Sequence, residues 1–268
     1  MENDKRIAIL IDADNVSDKY IPFIFDEISN YGTPTYKRIY GDWTTTHNTA
    51  WKKVLLNYSI APIQQYSYTK GKNATDSALI IDAMDILYSG NVDGFCIVSS
   101  DSDFTRLAAR LREAGMFVMG MGERKTPAPF IAACEIFKYL EVLASSTNGE
   151  AAEAAAEAEA TAENEKVGTK SSMASKTQLT RAIKAIVNDI SDDDGWAFLG
   201  AVGNLLNKRY PDFDSRNYGF AKLTQLVKSL RQFDVEPRPT SNPHVTHQFI
   251  RIKEKPKRTK ANSVRIQS

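Results

Sequence analysis

Aspartates at three places in the first half of the chain are the residues best equipped for chemistry: Asp12 and Asp14 in IDADN, Asp76 in KGKNATDSALIIDAMD, and Asp101 and Asp103 in VSSDSDF. The first and last sets each follow a short apolar run, RIAILI and GFCIV, that reads as a buried strand. If those strands lie side by side in one parallel sheet, their carboxylates meet at one end of it. There they repel one another unless a cation sits between them. Hard oxygen donors without nearby histidine or cysteine select Mg2+ or Mn2+ over zinc. Such a cation activates water and stabilises the leaving oxygen in an in-line attack on phosphorus. The chemistry implied is metal-assisted phosphodiester cleavage.

The candidates differ in rank. Asp12 follows the first predicted strand and Asp101 the fourth. A strand order of 3-2-1-4-5 would make them neighbours at the crevice where the order reverses, the place where ligands bind in such sheets. Asp76, behind Thr75, reads almost as well as an ordinary first-turn carboxylate favoured by the helix dipole. Asp103, Asp14 and Asn15 each read as a site residue or a helix cap. Asp82 and Asp85 are expected on the solvated side of the helix that carries Asp76. Lys70 and Lys72, in a glycine-containing loop, and Arg124 and Lys125, after the fifth strand, are placed to hold substrate phosphates, or equally to be solvated loop cations. Ser99 and Ser100 serve a phosphate, orient a carboxylate, or simply end a strand.

Other chemistries lack their residues. His47, His244 and His247 form no zinc pattern with Cys96 and Cys134, and no Ser/His/Asp or Cys/His set is visible. Neither a P-loop nor a G-x-G-x-x-G stretch occurs. A phosphoacceptor receiver would need an aspartate at the end of the third strand, where the chain reads QQYSYTKG.

The elements that must position these residues alternate in a βα rhythm over residues 6–141. Strands are predicted at Arg6–Ile11, Thr35–Tyr40, Ile60–Tyr66, Gly94–Ser99 and Met116–Met119. Helices are predicted at Ser17–Tyr31, Thr49–Tyr58, Thr75–Ser89, Thr105–Ala114 and Pro129–Val142. Continuous apolar runs suit strands buried on both faces, so the fold class is α/β, a Rossmann-like three-layer parallel sheet. The first domain is bounded at residues 1–143. Residues 144–175, rich in Ala and Glu and then in Ser, lack the large apolar residues of a core and read as a linker. Residues 176–253 show helical spacing from Leu179 to Ile190, helices predicted at Ala197–Lys208 and Tyr218–Arg231, and two extended runs around a Pro/Asn turn, the layout of a small winged helix-turn-helix domain. Residues 254–268 form a basic tail.

Charge follows this division. Residues 1–141 carry 15 basic and 18 acidic side chains, whereas residues 176–268 carry 17 and 9. An acidic half fits a cation centre, and a basic half fits a polyanionic partner. Lys208, Arg209, Arg216, Lys222, Lys228 and Arg231 gather around the second and third helices, with Arg238 near the wing. Tyr218 and Phe220 stack on bases or fill the core. No apolar run approaches the roughly 20 residues that span a bilayer. The N-terminus passes straight into a strand, which leaves no room for a signal peptide, and both cysteines lie in apolar runs; a reduced, cytoplasmic protein is expected.

IDADN, KGKNATDSALIIDAMD, VSSDSDFTRLAARLREAG and GMGERKTPAPFIAAC, in that order, resemble the NYN domain family, a branch of the PIN-like nucleases. The second domain resembles the OST-HTH/LOTUS module, a winged helix often attached to NYN domains. The first resemblance implies a metal-dependent ribonuclease, with Asp12, Asp76, Asp101 and Asp103 on the family's acidic positions and Asn15 beside them; Asp12 and Asp101 are expected to bind the Mg2+ or Mn2+, with Asp76 and Asp103 completing its shell or holding water. The family frequently has glycine where Ser100 stands. The second resemblance implies RNA binding or docking of a protein partner. Asn15, Lys70, Lys72, Ser100, Lys208, Arg209, Arg216 and Lys222 are thus the expected nucleic-acid contacts. Two alternatives stay open: a catalytically weak RNA-binding or adaptor protein, because the acidic set is necessary for cleavage without being sufficient, and a DNA nuclease, because nothing visibly reads a 2′-hydroxyl.

Overall fold

A computed structural model describes residues 4–44, 51–66, 74–146, 175–239 and 246–253. The expected linker, apart from its ends, and the basic tail lie outside these residues. Packing divides the chain into two units: residues 1–174 with 206–221, and residues 175–205 with 222–268.

The first unit is built on β1 (Arg6–Asp12), α1 (Ile21–Ser29), β2 (Thr33–Gly41), α2 (Trp51–Tyr58), β3 (Ala61–Gln64), α3 (Ala74–Ser89), β4 (Gly94–Val98), α4 (Thr105–Glu113), β5 (Phe117–Gly122), α5 (Ala128–Ala133), β6 (Ile136–Tyr139) and α6 (Leu140–Ser146). Its sheet is parallel throughout, in the order β3-β2-β1-β4-β5-β6. β1 shows why. Ile7, Ile9 and Ile11 point into one core layer with Ile21, Ile24 and Ile28 of α1. Ala8 and Leu10 point into the opposite layer with Leu79 and Ala83 of α3 and Phe130 of α5. A strand apolar on both faces is stable only between two helix layers. The order reverses between β1 and β4, as the sequence predicts.

Two readings need correction. The helix predicted over Pro129–Val142 is α5, then the edge strand β6, then α6. Phe130, Ile131, Cys134 and Phe137 recur at helical spacing, but Phe137 is drawn instead into a strand that pairs with β5 through Gly120. Gly120 has no room for a side chain: a Cβ there would sit 2.6 Å from the Phe137 ring and 2.7 Å from Cys134 Sγ. β6 is then covered within the same unit by residues 211–214: Phe137 N–H donates to the Pro211 carbonyl, and Tyr139 OH to Asp212. Asp82, expected on a solvated face, accepts instead from Arg38 and from Tyr40 OH, which ties α3 to β2. Helix α4, predicted over Thr105–Ala114, stops just before Gly115, whose φ of +79° is left-handed, a conformation glycine adopts freely.

The second unit contains α7 (Lys176–Ile190), β7 (Trp196–Phe198), α8 (Leu199–Arg209), α9 (Leu223–Ser229), β8 (Phe233–Pro239) and β9 (Thr246–Ile252), the end of α8 belonging to the first unit. Its antiparallel sheet has the order β7-β9-β8. Ser175 and Gln178 form a reciprocal capping box at the start of α7. Leu179, Ile183, Ile186 and Val187 bury one face of that helix. The helix predicted over Tyr218–Arg231 is divided: a short 3-10 turn at Ser215–Tyr218 ends at Gly219, with φ +85°, and α9 follows. Among the described residues, no helix is long and apolar enough to cross a membrane.

Candidate active site

The carboxyl ends of β1 and β4 form the floor of the site. Asp12 is the last residue of β1, fully buried, and pairs in register with Tyr40 of β2. Its carboxylate is held by three donors: Asp14 N–H at 3.1 Å, Asn15 Nδ2 at 2.7 Å and Ser99 Oγ at 2.8 Å. Burial pushes Asp12 above the ordinary carboxylate range, and these three bonds oppose that rise. Ser99 Oγ also accepts from Asp101 N–H at 3.1 Å, so one hydroxyl links the ends of both central strands.

Asp101 caps the 3-10 turn Ser102–Phe104 by accepting from Asp103 N–H at 2.9 Å. The cap role and the site role coincide in this residue, because a carboxylate has two oxygens. Asp76 enters from the first turn of α3. Asp76, Asp101 and Asp103 each offer one oxygen, and these three oxygens lie within 4.8 Å of one another. Burial, and then the negative charges of Asp12, Asp101, Asp103 and Asp14, push the Asp76 carboxyl up to about 6. Asp12 lies outside this trio of oxygens, and its charge acts on Asp76.

Carboxylates gathered this closely disfavour one another's ionised forms, and a bound cation relieves that repulsion. The donor set is all oxygen, without sulfur or imidazole, and it suits a hard divalent cation. Asp76, Asp101 and Asp103 are the residues whose oxygens converge to hold it, and Asp12, also expected as a ligand, acts on Asp76 through its charge.

The other expected contacts are more scattered. Asn15 turns inward to Asp12. Ser100 is buried, and its hydroxyl accepts from Glu123 N–H at 2.9 Å, fastening the loop after β5. Lys70 and Lys72 lie outside the described residues. Lys208 and Arg209 are exposed on the last turn of α8, and Lys222 is exposed at the start of α9. Arg216 is engaged in a buried ion network, with its guanidinium 3.0 Å from Glu27 and 2.6 Å from Asp214. Tyr218 packs near Phe213. Of the roles expected for Ser99, the structure shows the orientation of a carboxylate; that the same hydroxyl also joins a second aspartate loop has no sign in the sequence.

A three-layer parallel sheet that collects acidic side chains at its switch point defines a PIN-like α/β domain. The NYN domain model matches residues 6–141, just over half of the chain, and the chain belongs to that family. The OST-HTH/LOTUS domain model matches residues 173–245. The pairing supports a nuclease with an RNA-binding module. No curated protein matches the chain. Among solved structures, a Vibrio parahaemolyticus protein of unknown function is 19% identical with a TM-score of 0.43, over 51% of this chain and 93% of that one. An uncharacterised Nitrosomonas europaea protein is 34% identical over 35% of this chain and 94% of its own, with a TM-score of 0.26. A Chromobacterium violaceum protein is 35% identical over 29% of this chain and 82% of its own, with a TM-score of 0.24.

Proposed function

We propose that this protein is a metal-dependent endoribonuclease that hydrolyses RNA phosphodiesters and uses its OST-HTH/LOTUS domain to hold the substrate. The observation that carries this reading is the convergence of Asp76, Asp101 and Asp103 oxygens within 4.8 Å at the β1/β4 switch point, with buried Asp12 behind them. Mg2+ or Mn2+ is the cation assigned to the trio. When bound, it supplies Lewis acidity and charge neutralisation at the scissile phosphate. Asp12, fixed by Asn15 and Ser99, keeps the floor of the site rigid and negative. Asp101, tied to its own loop by the cap, presents its remaining oxygen in a set direction. The basic surplus of residues 176–268 favours a polyanionic substrate. We assign the activity to the cytoplasm, on the two unbridged buried cysteines, Cys96 and Cys134.

The test is cleavage of labelled single-stranded RNA, structured RNA and single-stranded DNA with Mg2+, Mn2+ or EDTA, alongside Asp12→Asn and Asp101→Asn proteins. RNA cleavage that needs the divalent ion and is lost in both variants is the expected result. Equal residual cutting by wild type and variants would overturn the nuclease reading. RNA binding without cleavage would make the protein an adaptor, and preference for DNA would change the substrate.

A further inference from the structure

The sheet of the second unit has an outward face that the basic-residue reading does not use. Strand alternation sends Ala197 and Ile250 into the core, where both are buried, and turns Trp196, Phe198 and Phe249 the other way. Trp196 pairs across the strands with Arg251, Phe198 with Phe249, and Arg238 with His247. The rings touch: Phe198 lies 4.7 Å from His247 and 5.9 Å from Phe249, centroid to centroid. Two guanidiniums lie over them, Arg238 at 4.5 Å from Phe249 and 5.0 Å from Trp196, and Arg251 at 4.6 Å from Trp196. Phe198 is nonetheless 38% exposed.

The backbone accommodates this arrangement. A Cβ at Gly200 would lie 2.6 Å from the Phe198 ring, so a larger residue there would push the ring from its place over the start of α8. Gly195, with φ +77°, leaves the stem of Arg251 in van der Waals contact at 3.6 Å from where a Cβ would be.

We infer that this aromatic–guanidinium face of β7, β9 and β8 binds single-stranded RNA by stacking its bases. The inference rests on the RNA-binding reading of the OST-HTH/LOTUS domain and adds a surface to it. Charge decides between occupants. Arg238 and Arg251 have carboxylate neighbours at 3.6–4.0 Å, namely Asp192, Glu236 and Asp234, so the face itself is close to neutral. A near-neutral face does not draw an acidic peptide, whereas the π-face of a base needs no net charge to stack on a ring. The carboxylate pairs are long and exposed, of the kind that contributes little, and they leave guanidinium donors for phosphates. Long-range attraction comes from the basic surplus of residues 176–268, 17 basic against 9 acidic side chains. A duplex, with its bases already stacked, cannot use the rings.

The experiment measures fluorescence anisotropy of labelled 12-nucleotide oligouridine and oligoadenosine, an abasic strand of equal length, and an RNA duplex. The protein is the full chain carrying Asp101→Asn to suppress cleavage. In that background Phe198→Leu keeps apolar volume without a π-face, and Phe198→Tyr restores the ring. We expect Phe198→Leu to weaken both single strands about tenfold, to leave the abasic strand unchanged, and to be rescued by Phe198→Tyr. Arg238→Gln, at an equal melting temperature, should weaken the same strands. Unchanged single-strand affinity in Phe198→Leu and Arg238→Gln overturns the face while leaving RNA binding by the domain intact. If the parent protein binds none of the probes, the RNA-binding reading and the face fail together. Self-association in sedimentation, or poly-glutamate binding, that Phe198→Leu abolishes without changing RNA affinity reassigns the face to a second copy or an acidic protein.

Discussion

At the scale of single residues, Asp12 and Asp76 show how differently burial treats two carboxylates of the site. Asp12 has three protein donors and is buried, whereas Asp76 is raised to about 6 by burial and by four neighbouring negative charges. In the metal-free protein above pH 6, the ionised Asp76 therefore opposes folding. Replacing it with Asn should stabilise the metal-free protein by about 1–2 kcal/mol, allowing for partial solvent screening. The same change should abolish the rise in melting temperature that Mn2+ produces in wild type. Thermal melts in EDTA and in Mn2+ decide this; a variant that melts lower in EDTA and still responds to Mn2+ would remove Asp76 from the cation site. Ser99 tests the floor. Ser99→Ala takes one donor from Asp12 and the acceptor from Asp101 N–H, at a cost of about 1–3 kcal/mol for buried groups left unpaired. We expect RNA cleavage to fall more steeply than stability, and Ser99→Thr to recover part of both. Loss of stability with unchanged cleavage would show that Ser99 only holds the strands together.

At the scale of elements, β1 and β4 were legible because strands buried on both faces must be apolar throughout, and their position fixed Asp12 and Asp101 at one sheet end. β6 was not legible. Four apolar residues at helical spacing concealed it, and only its pairing with β5 and its cover by residues 211–214 explain why an extended conformation wins there. Asp82 was misjudged for a related reason: helical spacing tells which face of α3 a residue occupies, but not that Arg38 and Tyr40 of β2 reach across to it. Asp101 could be ranked from the sequence, whereas the role of Ser99 depends on two loops brought together by the sheet. The close approach of β5 to the site gives a sharper test. A Cβ at Gly122 would lie 2.5 Å from the Ser99 carbonyl oxygen and 2.6 Å from Thr126 Oγ1, and backbone cannot yield as a side chain can. Gly122→Ala should cost about 1–3 kcal/mol as overpacking. It should also displace Ser99 and so reduce cleavage, although Gly122 carries no functional group. Full activity in this variant would mean that the ends of β4 and β5 move independently of the aspartates.

At the scale of the whole molecule, the first unit is not continuous in sequence, because residues 206–221 belong to it. Two of its buried charges, Glu27 and Lys138, depend on that segment. Glu27 of α1 accepts two bonds from Arg216, at 3.0 and 3.1 Å, and Lys138 of β6 sits 2.5 Å from Asp214 and 3.5 Å from Glu27. Burial alone would raise Asp214, but hydrogen bonds and charge from Arg216 and Lys138 prevail and hold it well below the ordinary carboxylate range. For Lys138, burial would lower the pKa, but Asp214, Tyr31 and Glu27 raise it. The stability due to Asp214 is therefore fully present above about pH 4, the ordinary aspartate value, and is lost as pH falls through its own depressed one. The part due to Lys138 is present below its ordinary value and lost only as pH rises through the raised one. Melting of the first unit should then be insensitive to this cluster through neutral pH and decline below about pH 4. Asp214→Asn should flatten that acid decline and lower stability at pH 7. Removing the segment is more severe. A fragment of residues 1–174 contains the entire NYN match, yet it leaves Glu27 and Lys138 without Arg216 and Asp214 and uncovers the edge of β6. Breaking a buried pair by deleting one partner costs about 3–5 kcal/mol. In a Trp196→Phe background, Trp43 and Trp51 are the remaining tryptophans, and their fluorescence follows the first unit alone. The fragment should unfold at clearly lower urea concentration than the same unit in the full chain. Coincident urea midpoints for fragment and full chain would show that the NYN domain folds without residues 206–221 and that the buried ion network adds nothing to its stability.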